Sequence, residues 1–142
     1  MKTYFAGSLL LCILSFLVNA FGGLYIDDYV SEGDLYKISE LQGIGSKDDV
    51  CVILASIILL LASMVSLSIN FAWRKTSIIL MVLAFAFSLF VLSLMDTSDF
   101  SSIAFATIFK GSNVVFSLWF LVYLGLFAKI VYDFYVEIIR AD

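Results

Sequence analysis

Charged residues in this chain fall between long apolar stretches rather than within them. Residues 3–26, 50–73, 76–95 and 111–128 carry no Asp, Glu, Lys or Arg, which gives uncharged runs of 24, 24, 20 and 18 residues. A helix needs about 20 apolar residues to cross a hydrocarbon core of about 30 Å. The runs therefore predict four membrane spans, at approximately 3–26, 50–73, 76–95 and 112–134, the last extended by Ile130, Val131 and Tyr132. Residues 100–109 are too short to span and predict an interfacial or packed outer helix. What is left is an outer loop at 27–49, an inner turn at 74–75, an outer loop at 96–111 and an inner tail at 135–142. Short connections force antiparallel neighbours. The expected fold is a single all-α integral membrane domain: four transmembrane helices in an up-down-up-down antiparallel bundle, with short amphipathic helices in the outer loops.

Helices in lipid pack through small residues and interhelical hydrogen bonds, because the hydrophobic effect does not drive them together there. In the first span Ser8, Cys12, Ser15, Asn19 and Gly22 recur at steps of four and three. That spacing sets them on one face, the seam of a left-handed helix pair. The second span has Ser56, Ser63, Ser66 and Asn70, flanked by Ala55 and Ala62. The third offers Ser77, Ala84 and Ser88, and the fourth Ser117, Gly125 and Ala128. We expect these stripes to face one another in the bundle core. The alternative is a water-filled path lined by Ser15, Asn19, Ser63 and Asn70. Packing is the simpler reading, since a serine in a membrane helix can bond its own backbone four residues back. Four helices also enclose too narrow a space for a pore unless the chain oligomerises.

Composition narrows the chemistry. Of 142 residues, 63% are hydrophobic and 14% charged, with no His and no Pro. Soluble domains average about 45–50% apolar and about 25% charged. Without His the chain supplies no imidazole to a metal or haem. An ionisable residue inside a span would mark proton-coupled transport, and none falls within the runs. Small multidrug transporters have four helices in a similar length but depend on a membrane-embedded Glu, so that likeness fails. Cys12 and Cys51 form no Cys-x-x-Cys pair and read as small packing residues. No cofactor, metal or nucleic acid is implied, and no small-molecule substrate.

Lys and Arg set the threading. With Arg74 and Lys75 in the cytoplasm, both termini lie there too, and that side gathers Lys2, Arg74, Lys75, Lys129 and Arg140 against Lys37, Lys47 and Lys110 outside. The absence of an Asn-x-Ser/Thr sequon is consistent with a bacterial source, which gives a bacterial inner membrane as the expected location. Lys2, the Leu-rich stretch and residues 18–20 resemble a signal peptide. The apolar run continues to Ile26, so retention as a helix is expected.

The loop at 27–49 carries seven acids, among them Asp27, Asp28, Glu32, Asp34 and Glu40, against two lysines. Leu35, Ile38 and Leu41 predict a short amphipathic helix there, and residues 46–49 a capping box for the second span. The acidic side chains are either a solvated cap or a docking surface for a basic or membrane-inserted partner. On the inner side Lys129, Asp133, Glu137 and Arg140 step by four, four and three. They predict a charged face on a fourth helix that outlasts the bilayer, either as a solvated end or as a docking handle.

No clustered acid, base or nucleophile marks an active site, so a non-enzymatic role is expected. The reading is a small polytopic membrane protein acting through helix–helix and loop contacts. It would serve as an accessory subunit, or as a protective immunity-type factor that binds a membrane-active partner. Its expected partners are lipid and another membrane protein or itself. The alternative is an oligomeric channel or holin-like pore.

Overall fold

The long apolar runs are helices. The computed structural model describes residues 1–20, 47–95 and 114–139. In it α1 spans Lys2–Ala20, α2 Lys47–Ile69, α3 Arg74–Leu92 and α4 Val114–Phe134, the last continuing as a π-helical turn over Tyr135–Ile139. All four are long and apolar enough to cross a membrane, and no strand occurs among the described residues. The 19 residues of α1 extend about 28 Å at about 1.5 Å each, close to a bilayer core of about 30 Å. The helices expected near residues 35–41 and 100–109, and Ser46 of the expected capping box, lie outside the described residues.

The tight turn falls earlier than the charge pattern placed it. α2 ends at Ile69, whose carbonyl accepts from the Ala72 and Trp73 amides at 3.2 and 2.9 Å. Asn70 sits where the helix stops, its backbone N–H still bonded to the Ser66 carbonyl at 3.0 Å. Arg74 and Lys75, expected as the turn itself, are instead the first residues of α3. Phe71 and Trp73 stand out from the bundle, 101% and 67% exposed, a position suited to rings at a membrane interface.

α2 packs broadly against both α1 and α3, and α1 against α4, while α3 and α4 meet less extensively. Leu11, Val52, Leu59, Met81, Phe116 and Trp119 fill the centre and are fully buried. Around them Ser8 and Ser15 of α1, Ser56, Ser63 and Ser66 of α2, and Ser77 and Ser88 of α3 are buried as well. The outward faces are bulky and apolar, with Phe16, Leu61, Leu83, Phe90 and Leu121 more than half exposed.

α4 packs differently from the expectation. Gly125 and Ala128 face outward and Ser117 is only half-buried; a Cβ added at Gly125 would meet nothing within 4 Å. The buried face is Phe116, Trp119, Tyr123, Leu126 and Ile130. These repeat at steps of three and four, the knob positions of a left-handed helix pair. Large rings on α4 fill the space that serines and alanines leave on the other three helices. Gly7 of α1 admits Leu126 so closely that a Cβ there would lie 2.9 Å from Leu126 Cδ1.

Candidate functional site

Two polar systems organise the bundle. The first is inside it. Ser56 Oγ donates to the Val52 carbonyl one turn earlier at 2.9 Å and accepts from Trp119 Nε1 at 2.9 Å. Ser88 repeats the device: its hydroxyl donates to the Phe85 carbonyl at 2.8 Å and lies 2.6 Å from the Tyr123 hydroxyl. A hydroxyl has one proton, so Tyr123 donates and Ser88 accepts. In both cases a serine that has satisfied its proton on its own helix offers a lone pair to a ring from α4. The rings form a stack. Phe116 and Trp119 lie 5.6 Å apart, Trp119 and Tyr123 5.0 Å, Tyr123 and Phe85 4.8 Å, and Phe85 and Phe127 4.8 Å.

Other buried serines bond backbone. Ser15 donates to the Cys12 carbonyl at 2.8 Å and Ser63 to that of Leu60 at 2.8 Å. Ser66 and Ser77 exchange hydroxyl-to-carbonyl bonds across the α2–α3 hairpin at 3.1 and 3.0 Å. Ser8 Oγ has no hydrogen-bond partner among the described residues.

The second system closes one end. Lys129 Nζ donates to Asp133 Oδ1 at 2.6 Å, one turn along α4. Asp133 also accepts from the Tyr4 hydroxyl of α1, and Lys129 lies 5.8 Å from the centres of the Tyr4 and Tyr132 rings. Arg74, at the start of α3, pairs with Glu137 at 2.5 Å. Ser77 Oγ approaches Met1 Sδ at 3.2 Å. These contacts gather the beginning of α1, the α2–α3 turn and the end of α4.

The expected residues fall into groups. Ser8, Ser15, Ser56, Ser63 and Ser66 are inside the bundle. Asn70 is half-buried at the turn. Asn19, expected on the same seam as Ser15, is instead exposed. It lies one residue from the end of α1. Gly22, Asp27, Asp28, Glu32, Asp34 and Glu40 lie outside the described residues. Lys129 and Asp133 form the expected i,i+4 pair, Glu137 pairs with Arg74 of α3, and Arg140 lies outside the described residues.

Sequence reasoning missed Tyr4, Trp119 and Tyr123. The α4 rings share the heptad spacing of 116, 119, 123, 126 and 130, but the other faces of this apolar helix offer the same spacing; for Tyr4, whose partner lies 129 positions away, there was no signal. Comparisons of the chain with family models, with curated proteins and with solved structures give no match.

Proposed function

We propose that this chain is a non-enzymatic membrane protein that acts by contact. It serves as an accessory subunit or as a protective immunity-type factor that binds a membrane-active partner. One observation carries the reading. With the exception of Ser8, the buried serines spend their protons on helix carbonyls, and four of the seven, Ser56, Ser66, Ser77 and Ser88, also tie one helix to another. What the helices offer outward is apolar side chain and charged ends.

The proposal includes an up-down-up-down threading in a bacterial inner membrane with both termini in the cytoplasm. The meeting of Tyr4 with Asp133 and of Arg74 with Glu137 supports it, since that threading brings those three segments to one end. The acidic loop at 27–49 is the proposed docking surface on the other side. Co-purification in mild detergent with chemical crosslinking tests the contact role. A distinct membrane protein recovered in stoichiometric amount is expected; a monodisperse monomer with no partner, and a deletion without phenotype under challenge by a membrane-active toxin, would refute it.

An oligomeric pore is the second reading, and Asn19 is the observation that favours it. Its amide is exposed on the outside of the bundle, where a neighbouring copy can face it. Planar-bilayer recording separates the two: a stable oligomer that carries no current removes the pore.

A further inference from the structure

The seam between α3 and α4 is incompletely filled. It holds a half-open void of about 110 Å³ lined by Val82 and Phe85 of α3 and by Phe127, Ile130, Val131 and Phe134 of α4. Every lining side chain is hydrocarbon, and a void of this kind gives water no partners and takes up apolar ligands instead.

The same two helices are bridged beyond the void by Arg74 and Glu137. Glu137 lies one turn past Phe134. Arg74 lies eight residues before Val82, about 12 Å along the helix at about 1.5 Å per residue. The Arg74 side chain engages Glu137 through one nitrogen and remains 64% exposed; a guanidinium has five donors in a fork suited to phosphate. Lys75 and Lys2 are exposed at this end, and with Arg74, Lys129 and the Met1 ammonium they make five cations among the described residues, against the carboxylates of Asp133 and Glu137. Phe71 and Trp73, exposed next to Arg74, hold it at the depth where lipid headgroups lie.

We propose that the α3–α4 seam is a binding site for one anionic phospholipid, with its phosphate on Arg74 and Lys75 and one acyl chain along the groove between Val82 and Val131. The charge at the mouth selects an anionic headgroup, and the hydrocarbon walls below it select the chain. The site rests on the bundle being embedded in a membrane and needs no protein partner.

The full-length protein in detergent, titrated with phosphatidylglycerol or with phosphatidylcholine of identical chains and read by native mass spectrometry, tests this directly. One phosphatidylglycerol per chain is expected, retained at concentrations at least about fivefold lower than phosphatidylcholine. Lys75→Gln and Arg74→Gln should each weaken phosphatidylglycerol retention about fivefold and phosphatidylcholine retention by less, since the choline ammonium offsets its phosphate, so the preference between the two lipids should narrow. Val131→Phe fills the groove from its half-exposed side and should weaken both lipids. Equal retention of the two lipids by the unaltered protein overturns the proposal without reference to any variant's folding. So does undiminished retention by Val131→Phe, or a lipid-free dimer in place of the lipid-bound monomer.

Discussion

The indole of Trp119 donates to Ser56 Oγ at 2.9 Å, and Ser56 passes its own proton to the Val52 carbonyl. The two sites are unequal because of that direction. Trp119→Phe leaves Ser56 bonded to Val52, so its hydrogen-bond loss is no more than about 1 kcal/mol, to which the space left by the fully buried indole adds a cavity cost. Ser56→Ala leaves a buried indole N–H without an acceptor and should cost about 1–3 kcal/mol. Denaturant titration in mixed micelles measures both losses, and the double variant should be less destabilised than the two single losses combined.

Gly7 and Leu126 bring α1 and α4 into close contact. Gly7→Ala puts a Cβ 2.9 Å from Leu126 Cδ1, and the side chain must shift to admit it. A loss of about 1–3 kcal/mol is expected from overpacking. Leu126→Ala combined with Gly7→Ala should recover part of it, and a thermal-unfolding cycle measures that coupling.

The two carboxylates at the charged end should respond differently. Asp133 is mostly buried, at 17% side-chain exposure, and serves both Lys129 and Tyr4. Asp133→Asn should cost about 1–3 kcal/mol, since it uncouples two partners on two helices. The Arg74 side of the Glu137 pair is 64% exposed, and such pairs contribute about 0–1 kcal/mol. Glu137→Gln should therefore be nearly silent, and raising salt should erase what difference remains. Stability measured at low and high ionic strength separates the two.

The threading predicts a labelling pattern. In a chain whose buried Cys12 and Cys51 are replaced by Ala, Asp34→Cys should react with an impermeant maleimide on intact cells. Lys75→Cys should react only after permeabilisation. The reverse pattern would invert the topology and move the acidic loop inside.

The sequence by itself determined that four stretches would be helices long and apolar enough to cross a bilayer, because a bilayer requires a fixed run of apolar residues and charges are too costly to hide within one. It also marked the serine stripes of α1, α2 and α3 as polar positions that stand out from an apolar background at helical spacing, though Asn19, at the end of its stripe, is exposed. Ser8, Ser15, Ser56, Ser63, Ser66, Ser77 and Ser88 are all buried. The tertiary structure decided the orientation of α4. Lipid and core are equally apolar to a helix of Leu, Phe and Val, so hydrophobicity gives it no inner face. What sets its rotation is where its hydrogen-bonding rings find acceptors: Trp119 at Ser56 and Tyr123 at Ser88, with Gly125 and Ala128 consequently turned outward. Tertiary structure alone also joined Tyr4 to Asp133 and Arg74 to Glu137, because contacts between distant segments leave no local periodicity to read.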